Sequence, residues 1–514
     1  MNENTEIMPT AEQFPQENAA ECSVECPMTA EPKYSRTESL FAVAFSFVGY
    51  FFIKTFITGS AGMGAAIFMV FTAAASAAFA WLMGAKGSRH SRMYLLLTFV
   101  FSANLGISGN GLIMLLDFMF AVIMLAMWSF SVNNPDWNGV DSGFIYNLGH
   151  AVFGQSFGNF GKCPSAAAEL MKRDKGGRNI RNILLGVLMA LPATVVVTVI
   201  LSYADSRFDN IMGSIVGGIS LSGIWKYLLG LPISFLVFGI VYAAVSEKSC
   251  ERLKNERTTA SLRIIPGMMM YSSVVPLCIV YVIFFFLQLS YFTSAFGGVL
   301  PEEFSASEYA RKGFFELCIV SVINLFVIAA MNLFCRYDDK NGESKRPIPL
   351  RFFTVLLSFF TIILIATALS KMEMYIARFG LTPKRVYTSW FMLVLTALFA
   401  LIIARQFKQF NMAHIGAVIF TVMLLLLSFS QTDSLIAGYN ISAYESGNIE
   451  NIDFDGLSSD AVYAVAPLLK CEDSELNHAA RDWYTNCLSG NVNNAWYGNG
   501  LSEYIVHGLQ ENGD

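Results

Sequence analysis

Charge is scarce in this chain: only 14% of its 514 residues are Asp, Glu, Lys or Arg, where a soluble protein carries about a quarter. That shortage excludes a water-soluble globule of this length. Histidine is scarcer still, with five in all (His90, His150, His414, His478 and His507). They show no H-x-x-x-H or Cys/His spacing, so neither a metal centre nor a haem is indicated. Cys22 and Cys26 stand without a second pair of ligands, which a zinc site needs. Also missing are a P-loop, a G-x-G-x-x-G after a strand, and a nucleophile with a base in reach inside the apolar segments. These gaps argue against an enzyme, and no cofactor is expected. No basic patch interleaved with aromatics is present, which argues against nucleic acid.

Long apolar runs fill the space that charge leaves. The chain is 54% hydrophobic with a mean hydropathy of +0.49, and a bilayer core asks for about 20 apolar residues in helix. By that measure spans are expected near 39–58, 62–84, 93–109, 111–132, 182–204, 225–246, 264–292, 312–335, 350–372, 387–404 and 412–430. The fold class is therefore all-α: a polytopic transmembrane helix bundle of about eleven spans, in contact with membrane lipid. The pair 93–109 and 111–132 is joined only by Ser108-Gly109-Asn110-Gly111, which suits either a tight hairpin or a re-entrant feature.

The net charge of −5 is unevenly distributed: −6 over residues 1–38, +12 over 39–432 and −11 over 433–514. The first 38 residues, rich in Glu, Pro, Thr and Asn, lack the apolar side chains needed to fold. They read as a disordered acidic cytoplasmic tail rather than a signal peptide, since neither a positive n-region nor an adjoining apolar stretch is present. Basic loops stay on the cytoplasmic side. The Lys- and Arg-rich loops alternate without a break if the N-terminus is inside, although the connector 371–385 carries four bases against this. Residues 39–432 then form the bundle and 433–514 a small acidic extracytoplasmic region. There Cys471 and Cys487 lie in an oxidising compartment, where a disulfide between them is chemically open but not required.

Residues 299–380 hold two apolar runs, each closed by a knot of charges: Glu308, Arg311, Lys312 and Glu316 on one, Lys371, Glu373 and Arg378 on the other. Ser305 and Glu308 have capping-box spacing. The segments YARKGFFEL, INL with Asn324, and SKMEMYIARFGLTPKR, together with the tail AGYNISAYESGNIENIDFDGLSSDAV, resemble the bacterial multi-pass membrane family known as domain of unknown function 4173. The resemblance covers about the last 220 residues and implies a polytopic fold, with no substrate or catalytic residue to carry over. It also implies a bacterial cell (inner) membrane.

Charges inside spans usually face the bundle interior and mark a site or pathway. Lys54, Asp117, Glu316, Lys371 and Glu373 all fall in the outer half of the expected bilayer, and Arg311 stands beside them. They suggest an outward-facing polar cavity that binds or transports a small charged or zwitterionic solute. The structural alternative is that they are ion pairs locking helix ends, with lysines snorkelling to the headgroups. The functional alternative is a non-transporting sensor or scaffold that engages partner proteins through its outer C-terminal region and inner basic loops.

Overall fold

The computed structural model describes residues 34–59, 61–135, 137, 139–140, 143–173, 197, 201, 207–208, 221–246, 263–296, 314–336, 347–489 and 499–511. Among them the extended structure is a two-residue parallel bridge pairing Ile265–Pro266 with Cys335–Arg336. The larger elements through the bundle are helical: α1 (Arg36–Ile57), α2 (Met63–Leu82), α3 (Arg89–Asn104), α4 (Gly111–Asn133), α5 (Lys162–Arg173), α6 (Leu221–Ala243), α7 (Gly267–Phe296), α8 (Phe314–Phe334), α9 (Ile348–Phe379), α10 (Pro383–Phe407) and α11 (Met412–Phe429). All but α3 and α5 contain a stretch long and apolar enough to cross a membrane, making nine among the described residues. These nine coincide with nine of the expected spans. At 16 residues, α3 is a short helix. Apart from Val197 and Leu201, the expected span 182–204 lies outside the described residues, as do Ser305, Glu308, Arg311, Cys22 and Cys26.

Local chemistry explains where these helices begin. Ser35 caps α1, taking the Glu38 amide at 3.1 Å while the Glu38 carboxylate takes the Ser35 amide at 2.6 Å. This capping box starts the first span at Arg36, three residues ahead of the expected position. Ser88 caps α3 by accepting from the Ser91 amide, and Asn110 caps α4 by accepting from the Leu112 and Ile113 amides. Only five residues separate the end of α3 at Asn104 from the Asn110 cap, so α3 and α4 pack against each other as a tight hairpin over the Ser108-Gly109-Asn110-Gly111 link.

In lipid, helices gain little from burying apolar surface against one another, so close backbone approach and polar contacts hold them together. Gly49 of α1 and Gly230 of α6 show the first device: a Cβ on Gly49 would stand 1.8 Å from the Gly230 carbonyl oxygen. Beside it the Gly49 amide donates to Ser234 Oγ at 2.8 Å, and Ser234 donates on to the Ser46 carbonyl. Two larger apolar clusters divide the bundle. One joins α2, α3, α4, α6 and α11 around Phe101, Phe120 and Met127; the other joins α7, α8, α9 and α10 around Met331, Leu357 and Phe399.

The chain beyond α11 folds against the bundle. It comprises α12 (Thr432–Glu445), a tight turn Ser459–Ala461 leading into short helical turns to Lys470, α13 (Ser474–Ser489) and α14 (Leu501–Glu511). These elements share an apolar core of their own, including Ile436, Phe454, Val462 and Trp483, where each buried large side chain contributes about 1.5–3 kcal/mol. The region sits at the end of the bundle where α1 meets α2, α3 meets α4 and α9 meets α10. Three contacts fix it there. The Met63 amide donates to the Asn499 carbonyl at 3.0 Å and the Leu501 amide to the Gly106 carbonyl at 2.9 Å. Asn440 clamps the α9–α10 turn, accepting from the Leu381 amide at 2.7 Å and donating to its carbonyl at 2.9 Å.

Candidate functional site: three buried carboxylates beneath a polar pocket

The α3–α4 hairpin organises the most polar interior of the described protein. One level down, Asp117 is fully buried. Its Oδ2 accepts from Asn104 Nδ2 at 2.7 Å and its Oδ1 from Ser428 Oγ at 2.6 Å. Asn104 uses its second amide proton on the Ser428 carbonyl. Asp117 lies six residues into α4, roughly 9 Å along the axis, so α3, α4 and α11 meet around a carboxylate inside the membrane-spanning length.

Asn110 forms the next level. While its Oδ1 caps α4, its Nδ2 donates to Tyr387 Oη at 2.7 Å and to Asp433 Oδ2 at 2.8 Å. Asp433 Oδ2 also accepts from the amide and hydroxyl of Ser458. Asp433 is 1% exposed, and its Oδ1 has no hydrogen-bond partner.

Asp460 holds the third level, at the hairpin tip. The Gly109 amide and the Ser502 hydroxyl donate to its Oδ1, and Ser108 Oγ donates to its Oδ2 at 2.6 Å. A Cβ at Gly109 would stand 1.9 Å from Ser459 Oγ, so a larger residue there would have to displace that hydroxyl. The donors named at all three aspartates are amides and hydroxyls, none of them a cation.

A pocket of about 280 Å3 opens over this arrangement, lined by Gly109, Ser458, Ser459, Asn486, Cys487, Asn499, Glu503 and His507 with Leu457 and Val506. Glu503 sits in the first turn of α14 and accepts from the Gly500 amide at 2.9 Å. Burial pushes its carboxyl above the usual glutamate range, with Asp460 adding to the rise and the Gly500 amide and His507 opposing it. Burial, then the Glu503 charge, pushes the Cys487 thiol up to about 11. Cys471 and Cys487 are separate free thiols here. Among the described residues no group of three or more His, Cys, Asp and Glu is placed to hold a metal ion.

The charges singled out from sequence are distributed differently from a single cavity wall. Asp117 joins the hairpin site. Lys371 is 6% exposed on α9, within electrostatic reach of the exposed Glu316 of α8. That pair borders the second apolar cluster, through Leu317 and Met372. Glu373 is exposed and Lys54 partly so, the latter in a π-helical turn that ends α1; Arg311 lies outside the described residues. Asn324 is fully buried in the second cluster, accepting from Tyr281 and donating to Thr361 Oγ1 at 2.9 Å. Sequence reasoning passed over Asp433, Asp460, Ser458 and Glu503. The tail motif did contain Ser458 and Asp460, in its Leu457-Ser-Ser-Asp460 tetrad, with Asp433 just ahead of it, but nothing there signals that the α3–α4 hairpin is their partner.

Comparison with curated proteins and with solved structures finds no match to either. A family model does match, over residues 93–468, which include the hairpin, Asp117, Asp433 and Asp460. The number expected above, 4173, is not the one matched; the multi-pass character expected with it agrees with the nine spans. The chain is an integral, multi-pass membrane protein and belongs to the family of the domain of unknown function DUF4153.

Proposed function

We propose that this protein binds a small polar solute in the pocket between the α3–α4 hairpin and the C-terminal region, and that it acts as a non-enzymatic solute carrier. The observation that carries the reading is the continuity of polar groups beneath the pocket. Ser458 lines the pocket and bonds Asp433, Asp433 bonds the Asn110 cap, and one level further in stands Asp117. Buried acids within membrane helices usually serve an ion or solute pathway. A pocket that only recognised a ligand at the surface would need none of them. The volume of about 280 Å3 suits a solute at the small end of the usual range.

In this reading the protein lies in a bacterial inner membrane with its N-terminus cytoplasmic. The pocket then faces outward, opposite the loops rich in lysine and arginine. The sensor or scaffold alternative needs a C-terminal region free to engage a partner. Its clamps at Leu381, Gly106 and Asp460 support a cap on the bundle instead.

Cys487 provides the test, since it lines the pocket. In the purified full-length protein in detergent, a bound solute is expected to slow maleimide modification of Cys487 but not of Cys471, and to raise the unfolding temperature through linkage. A broad screen of charged and polar metabolites in which no compound does either would overturn the reading.

A further inference from the structure

We infer that the solute carries a primary ammonium group, received by Glu503 on the pocket wall with the buried Asp433 standing behind Ser458. The inference rests on the pocket being a solute site and adds the chemistry it selects.

Asp433 supplies the first argument. A buried carboxylate oxygen without a donor is costly, and native proteins rarely leave one so. Oδ2 of Asp433 is saturated by Asn110 and Ser458, yet Oδ1 has no donor at 1% exposure of the residue. Ser458 lines the pocket and donates to Asp433 Oδ2, which places the Asp433 carboxylate behind the pocket wall.

Charge supplies the second. The pocket walls carry Glu503, and Asp460 lies close enough to act on it electrostatically. Among the described residues no lysine or arginine lines the pocket, and His507 is the one basic group they place there. A carboxylate or phosphate ligand would face these acids with little to neutralise it, whereas a cation would be attracted. A bare metal ion is disfavoured, because the described residues offer no cluster of three His, Cys, Asp or Glu to coordinate it. An ammonium instead brings three N–H donors, which suit the Glu503 carboxylate and the hydroxyl oxygens of Ser458 and Ser459 on the pocket wall. Leu457 and Val506 give a short alkyl stem an apolar wall.

Three probes of one size separate the possibilities: propylammonium, propionate and propanol, each tested by Cys487 protection and by calorimetric titration of the full-length protein. Propylammonium alone should protect Cys487. Glu503→Gln should weaken its binding at least tenfold, and Asp433→Asn should do the same in protein that still unfolds cooperatively. Glu503→Gln is informative even if Asp433→Asn fails to fold. Undiminished propylammonium binding in Glu503→Gln overturns the inference. Protection by propionate or propanol overturns the ammonium class while leaving the pocket a solute site. If none of the three protects Cys487, the ammonium inference falls and the pocket reading depends on the broader screen alone.

Discussion

Two polar groups are buried among the membrane helices in different surroundings. On the α7–α9 side, Asn324 exchanges hydrogen bonds with Tyr281 and Thr361, and Thr361 passes its proton to the Leu357 carbonyl. On the hairpin side, Asp117 accepts from Asn104 and Ser428. The first set is neutral and every polar atom named has a partner, as packing between helices in lipid requires. The second is built on an ionisable carboxyl group, and two further buried aspartates stand between it and a pocket. A neutral, closed network serves to hold helices together. One built on ionisable groups costs more than that purpose needs, which is why the hairpin side supports a functional reading and the α7–α9 side a structural one.

The largest effect should come from separating the hairpin from its cap. Asp460→Ala removes the acceptor for Ser108, Gly109 and Ser502 together. At about 1–3 kcal/mol for each buried donor left unsatisfied, the C-terminal region should lose roughly 3–5 kcal/mol of docking. Trypsin should then cut readily after Lys470 and Arg481, the two basic residues beyond position 432, while the spans stay protected. A cleavage rate equal to the parent's would mean that the apolar core around Phe454 and Trp483 holds the cap in place without Asp460.

A smaller effect distinguishes the two intramembrane networks directly. Asn324→Leu orphans the Tyr281 hydroxyl and should cost about 1 kcal/mol in thermal unfolding, given how modest such bonds are in membrane helices, with solute protection of Cys487 unchanged. Asp117→Leu orphans Asn104 and Ser428 at about 1–3 kcal/mol and should abolish solute uptake in vesicles that still contain folded protein. Uptake that survives Asp117→Leu, or fails in Asn324→Leu, would reverse the roles assigned to the two sides.

Much of the fold was legible in the sequence because lipid imposes a simple rule: apolar runs of about 20 residues cross, and their ends show. Nine spans, the hairpin as one of two possibilities, and Asp117 as a charge inside a span were all readable from the chain alone. The site was only half legible. Lys371, Glu316 and Glu373 stand out because they interrupt apolar runs, yet they border the other helix cluster. Asp433 and Asp460 lie in a tail already crowded with acids, thirteen over residues 433–514, so their charge gives no contrast. Their burial depends on a loop more than 300 residues earlier in the chain. No local pattern encodes that pairing, since the hairpin offers backbone amides and small hydroxyls that any turn would carry.

The smallest effect concerns Glu503 and its sign is fixed by its position. Burial raises its carboxyl above the ordinary range, so the folded protein holds a proton there that the unfolded chain has already released. Stability from this group is therefore fully present below the ordinary glutamate range and is lost as pH rises through the raised value. Glu503→Gln keeps the size and polarity without the titration. Thermal unfolding followed between about pH 4 and 8 should show the parent falling below the variant on the alkaline side and converging with it at the acid end. Asp460 and His507 face the same carboxylate, so repeating the pair of curves in a His507→Asn background isolates the Glu503 contribution. Parallel curves in both backgrounds would show that water reaches Glu503 freely. The pocket wall would then be too wet to favour an ammonium over water, and the hairpin side would lose its one charged contact with the solute.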